Sequence, residues 1–162
     1  MAKSKLHSGA LWQFRLSILI AFLPFIVFFS VLSAAVFNAG WFIFLLFLIL
    51  IGILLAEIFA RMSYDRWFYE FTDTNLKLER GIIWKRYSNI PYERVQNVDI
   101  HRGIIARIFG FSSVVIQTAG YSMPVHGRGI IAEGLIPAVS MEEAEKIRDF
   151  LMKKISKKSG GI

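Results

Sequence analysis

The chain has 162 residues, of which 55% are hydrophobic and only 19% charged, with a net charge of +7 and no cysteine. No charged residue falls between Arg15 and Glu57, which excludes an ordinary soluble protein, whose charged quarter is spread along the chain. The missing cysteines exclude a disulfide scaffold, a thiolate zinc site and a cysteine nucleophile.

In chain order, residues 1–15 are read as a basic N-terminus carrying Lys3, Lys5 and Arg15 and no acid. Leu16 to Phe37 is an uncharged stretch long enough, at about 1.5 Å per residue, to cross a hydrocarbon core of about 30 Å. Asn38-Ala39-Gly40 carries turn chemistry. A second apolar run from Trp41 to Ala60 is interrupted only by Glu57 and stopped by Arg61. Residues 16–60 therefore read as a transmembrane hairpin with spans at about 16–37 and 41–60. Trp12 and Trp41 stand where interfacial aromatics belong. A signal peptide cleaved at Ser33-Ala34-Ala35 is disfavoured, because the run is long and a second follows at once. Glu57 precedes Arg61 by four residues and is read as half of an ion pair rather than an intramembrane functional acid. Ser30 and Ala34 form a small-xxx-small pair suited to helix packing or dimerisation. Bases flank both ends of the hairpin and none lies in the turn, so the positive-inside rule puts both termini in the cytoplasm of a multi-pass cell-membrane protein.

Residues 61–155 change to short strands. Trp67, Tyr69 and Phe71 alternate with Phe68, Glu70 and Thr72, giving one aromatic face. Thr72-Asp73-Thr74-Asn75 is a turn, and Leu76 and Leu78 alternate with Lys77 and Glu79. Gly81 is expected to bend or bulge a strand that goes on through Ile82-Ile83-Trp84 and ends at Asn89-Ile90-Pro91. Gln96 shares a face with Val98 and Ile100 and is expected to be partly buried, with Asn97, Asp99 and His101 opposite. Ile104 to Phe111 is a short helix or a loop with apolar anchors. Val114 to Thr118 is a strand, Pro124 to Gly129 a loop, and Ile130 to Ile136 a last strand ended by Pro137. Ser140-Met141-Glu142-Glu143 is a capping box. It opens an amphipathic helix with Ala144, Ile147, Leu151 and Ile155 on one stripe. Residues 156–162 read as a flexible basic tail.

Several stretches carry a resemblance when taken in order: Leu78-Glu79-Arg80-Gly81-Ile82-Ile83, then Asn89-Ile90-Pro91-Tyr92-Glu93-Arg94-Val95-Gln96-Asn97-Val98, then Arg107-Ile108-Phe109-Gly110-Phe111 and Thr118-Ala119-Gly120. Over about residues 60–155 the chain resembles the bacterial pleckstrin-homology-like family with flanking membrane spans, the membrane-flanked or YdbS-like domain. The resemblance implies an α+β fold: the two-helix transmembrane hairpin, then an antiparallel β barrel or sandwich capped by a C-terminal α-helix. The inositol-phosphate-binding version of that fold uses bases around its first strand turn. Here that turn is Thr72-Asp73-Thr74-Asn75, with an acid and no base, so no ligand residues carry over.

No catalytic constellation emerges from the residues. Gly127-Arg128-Gly129-Ile130-Ile131-Ala132 fits a dinucleotide pattern only on paper, because Gly134 and Pro137 would break the helix it needs. His7, His101 and His126 lack metal-ligand spacing, and Ser112-Ser113 lacks a nucleophile elbow. No enzyme activity, cofactor or metal is expected. The charge distribution also argues against nucleic acid: residues 61–152 hold 12 bases against 11 acids, leaving the excess at the chain ends. Arg86, Arg94, Gln96, Arg102 and Arg107 are the candidate partner surface. Lys153, Lys154, Lys157 and Lys158 are the candidate contacts to anionic lipid at the membrane surface. The expected function is a membrane-anchored adaptor binding a protein, a peptide or its own copies as a homo-oligomer. A lipid headgroup sensor and an accessory subunit of a membrane enzyme or transporter are the alternatives.

Overall fold

The computed structural model describes residues 3–37, 41–119, 123–124, 130–131 and 134–159. The chain divides into two compact units, Leu11–Tyr64 and the combination of Met1–Ala10 with Asp65–Ile162.

The first unit is the hairpin of α1 (Ala10–Phe37) and α2 (Trp41–Asp65). Both helices are long and apolar enough to cross a bilayer, and little of either apolar window is buried by protein. Side chains such as Val31 and Ile43, 69% and 76% exposed, need lipid to cover them. The helices meet through small residues, but not through the Ser30–Ala34 pair, since Ala34 is exposed. The buried stripe is Gly52, Ala56 and Ala60 on α2, spaced by four so that all three share one face. Ser33, whose hydroxyl donates to the Ser30 carbonyl at 2.9 Å, is a buried small residue of α1. Glu57 accepts from Arg61 at 2.6 Å, as expected. It also accepts two bonds from Arg15, from Nε at 2.6 Å and Nη2 at 3.0 Å, and this fork pins α1 to α2.

The second unit is a sandwich of two antiparallel sheets rather than a closed barrel. One sheet has the order β1 (Ser4–Lys5), β2 (Phe68–Phe71), β3 (Asn75–Arg80), β4 (Arg86–Pro91). The other has β5 (Val95–His101), β6 (Ser112–Thr118) and β9 (Gly134–Val139). A short ribbon pairs β7 (Met123–Pro124) with β8 (Ile130–Ile131). A 3-10 turn, Tyr92–Arg94, carries the chain from β4 to β5. Helix α3 (Ile104–Ile108) joins β5 to β6, and α4 (Met141–Ser159) packs on β5, β6 and the 3-10 turn. The core is what alternation demands: Tyr69, Leu76, Leu78 and Ile90 from one sheet, Val114, Ile116, Ile136 and Val139 from the other, and Leu151 from α4, all with less than 2% exposure. Ser140 caps α4, its hydroxyl accepting from the Glu143 amide at 3.2 Å.

The segment read as a basic N-terminus also contributes to the sheet: Ser4 and Lys5 pair with Tyr69 and Phe68, Leu6 is 3% exposed, and the His7 amide donates to the Ala138 carbonyl at 2.9 Å. Several expectations are corrected. The strand does not continue through Ile82-Ile83-Trp84. Gly81 has φ +114, and a Cβ there would collide with the Trp84 carbonyl, so residues 81–85 form a tight tip and β4 begins at Arg86. Pro137 lies within β9 rather than ending it. β9 pairs on one side only, and the register slips between Ser112 and Val114, so no ladder bond needs a proline N–H. The Pro137 carbonyl accepts instead from the Ser113 hydroxyl at 2.7 Å. Helix α4 reaches Ser159, taking in most of the segment read as a flexible tail. The Gly127–Ala132 motif, the Asn38–Gly40 turn, His126 and Gly120 lie wholly or partly outside the described residues.

Two outcomes follow. Leu6→Ala is expected to destabilise the sandwich by about 2–4 kcal/mol, the cost of a buried leucine, measured by denaturant unfolding of the full-length protein in detergent micelles. Glu57→Gln is expected to lower the melting temperature of the helical hairpin by a few degrees, followed by circular dichroism of the reconstituted protein, because a neutral amide loses both charged arginine bonds.

Candidate functional site

The aromatic face of β2 does more than fill the core. Trp67, Tyr69 and Phe71 stack edge-on along the strand, with centroids 6.4 and 5.9 Å apart. Phe150 of α4 continues the series against Phe71 and then Tyr92, at 5.8 Å each. Offset and edge-on rings gain from quadrupole attraction as well as burial. Between β2 and α4 this series floors an open groove of about 280 Å³ lined by Ser4, Tyr69, Phe71, Glu143, Lys146, Ile147 and Phe150. Its floor is apolar and its rim has one acid and one base.

The Tyr69 hydroxyl donates to Glu143 Oε1 at 2.6 Å. Burial first, then the neighbouring Glu143, hold its phenol well above the usual tyrosine range. The Tyr92 hydroxyl donates to the Thr72 carbonyl at 2.6 Å, and burial with nearby Asp73 raises it to about 12. Both hydroxyls therefore stay protonated and act as fixed donors at neutral pH.

Two residues of the candidate partner surface, Arg94 and Arg102, stand at opposite ends of β5. Arg94 precedes β5 and Arg102 follows it. Seven extended residues at about 3.3 Å each put them roughly 25 Å apart. Arg86 lies at the start of β4, cross-strand from Arg80, while Arg102 precedes α3 and Arg107 lies in its last turn. All four arginines of the expected surface are exposed. Gln96 is exposed rather than half-buried, because the ladder slips between Val95 and Asn97 and leaves Gln96 as the extra residue of a bulge. Asp99 accepts from Asn97 at 3.0 Å and from Gln117 at 2.8 Å. His7 Nδ1 accepts from the Gly9 amide, a local turn contact.

Of the expected lipid-facing lysines, Lys153 is exposed. Lys154 is drawn back onto the domain: it donates to the Asp73 carbonyl at 3.3 Å and sits 5.6 Å from the Phe150 centroid and 5.9 Å from that of Tyr92. The side chains of Lys157 and Lys158 lie outside the described residues. Sequence reasoning missed Glu143 and Phe150 as groove residues. Phe150 was visible at i+3 from Ile147, whereas Glu143 was accounted for by its capping position.

Comparison with known proteins agrees with this architecture. The family described as "Bacterial PH domain" matches residues 15–155. The chain is 29% identical over 93 residues to the UPF0699 transmembrane protein YdbT of Bacillus subtilis, covering 57% of this chain and 17% of that protein. It is 30% identical over 92 residues to the UPF0699 transmembrane protein YdbS of the same organism, covering 57% of this chain and 51% of that protein. The matched region thus spans about half of one relative and about a sixth of the other. No solved structure matches.

Tyr69→Phe is expected to keep the ring packing and cost about 1–2 kcal/mol through the lost charged hydrogen bond, measured by denaturant unfolding. The sign of its pH dependence follows from the raised phenol. The stabilisation is complete below the unfolded tyrosine value of about 10 and falls as pH rises past it, so Tyr69→Phe should flatten that alkaline loss, with Tyr92 responsible for the remainder.

Proposed function

We propose, given that the chain belongs to the bacterial PH domain family, that it is a membrane-tethered interaction module without catalysis of its own, engaging a protein segment in the groove between β2 and α4. The observation that supports this reading is the aromatic groove itself. Its apolar floor accepts a hydrophobic side chain, and Glu143 and Lys146 on the rim offer one acceptor and one donor to orient it. None of the arginines of α3 and β4 lines this groove.

The domain is assigned to the cytoplasmic face. Lys3, Lys5 and Arg15 precede the first span, Arg61 and Arg66 follow the second, and the intervening Asn38-Ala39-Gly40 has no base. Each membrane crossing therefore returns the chain to the same side.

Full-length protein extracted in mild detergent is expected to carry a stoichiometric partner, or a second copy of itself. That complex should be lost in Phe150→Ala and weakened at least tenfold in Lys146→Glu, with Arg94→Glu as a control outside the groove. Mass spectrometry and quantitative pull-down read the outcome. A complex that survives both groove substitutions but not Arg94→Glu overturns the groove as the binding site.

A further inference from the structure

Among the described residues, two apolar projections on the sandwich stand exposed. At the β3–β4 tip, Ile83 is 84% exposed and Trp84 83%. On α3, only Ala106 is turned inward, while Ile104 and Ile108 are 78% and 71% exposed. Of the apolar anchors expected in this segment, Ala106 and Phe111 are buried, while Ile104 and Ile108 point outward.

Each projection is held beside a point where the chain passes to or from a membrane span. Arg66 Nη1 donates to the Ile82 carbonyl at 2.6 Å, so the β3–β4 tip is bonded to the residue that follows α2 directly. Arg61 closes the apolar run of α2, and the five residues to Arg66 correspond to about 8 Å of helical rise. A lipid headgroup layer is roughly 5–7 Å thick on each side. On the other junction, Gly9 lies so close to Phe111 that a Cβ there would run into its ring. The Phe111 amide in turn bonds the Ala106 carbonyl of α3 at 2.9 Å. Gly9 directly precedes α1. Lys5 Nζ of β1 lies 3.8 Å from Asp65, the last residue of α2.

The sequence segments that carry the projections hold bases and no acid. No acid occurs from residue 80 to 92 or from 100 to 132. Arg80 and Arg86 face each other across the ladder immediately below the tip, an unfavourable pairing unless an anion lies nearby. Burial and the Arg86 charge both weaken the proton affinity of Arg80. Glu79, next along the strand, is bonded to Lys3 at 2.9 Å and lies 3.9 Å from Lys85, and is held below the ordinary carboxylate range chiefly by Lys3.

We infer that the β3–β4 tip and α3 dock on the bilayer that the chain itself spans. Ile83, Trp84, Ile104 and Ile108 enter the interface, and Arg80, Lys85 and Arg86 meet anionic headgroups. Trp favours the interface for its amphipathic ring, and exposed isoleucines flanked by bases suit an acyl boundary beneath a negative surface. This inference stands apart from the groove, which uses neither projection.

The chain has no cysteine, so single cysteines can carry an environment-sensitive fluorophore in the full-length protein. Ile83→Cys and Ile104→Cys probe the two projections, and Asn97→Cys, at an exposed position on β5, is the reference. The proteins are reconstituted at one chain per nanodisc, in phosphatidylcholine alone and with an equal part of phosphatidylglycerol. The Ile83 and Ile104 probes are expected to be at least fivefold less accessible to iodide than the Asn97 probe, and to be quenched by spin-labelled lipid. Adding Arg80→Ala with Arg86→Ala should reduce the Ile83 protection in phosphatidylglycerol by threefold or more. Equal accessibility of all three probes overturns the docking. Protection that appears only with two chains per disc also overturns it, assigning the projections to a second copy. Protection unchanged by the arginine substitutions overturns the role given to the basic rim.

Discussion

The pairing of Ser4 and Lys5 with Tyr69 and Phe68 is the constraint on which the architecture depends. It joins residues on either side of the membrane hairpin into one sheet. Leu6 in the core and the His7–Ala138 bond extend the join into the second sheet, and Lys5 of β1 lies 3.8 Å from Asp65 at the end of α2. The domain is thus not a sandwich hung after a hairpin. The hairpin is inserted between its first two strands, and the sandwich reaches its full first sheet only when both flanks of the spans return to the same place.

That constraint explains the arrangement within the hairpin. Two helices whose flanking residues must meet gain from antiparallel packing, and the small stripe Gly52-Ala56-Ala60 lets them approach closely. The Arg15–Glu57–Arg61 cluster then sets their relative height. In a setting poorer in water than bulk solvent, a carboxylate with two guanidinium partners is far better compensated than with one.

Within the sandwich, one aromatic series links core, helix cap and groove. Tyr69 is buried by the sheet, bonded to the capping acid of α4, and stacked on the ring that meets Phe150. Positioning of α4 and formation of the groove are therefore one event. The groove and the two apolar projections, in turn, present different chemistry: the groove is apolar with a balanced rim, and the projections are apolar with a basic one.

The sequence by itself determined the spans, the alternation of β2 and β3, the capping box and the buried stripe of α4. Each rests on local periodicity or on a contact within four residues. It determined the α+β class for the same reason, and the family resemblance ordered the strands. Tertiary structure decided the rest, because the deciding contacts are distant in sequence. Lys5 finds Asp65, Arg15 finds Glu57 and Tyr69 finds Glu143 across dozens of residues, and no spacing rule encodes those meetings. The bulge that turns Gln96 outward and the turn that exposes Ile83 and Trp84 are single-residue events. With a side-chain period of two, one extra or one left-handed residue is enough to reverse which face an apolar side chain occupies.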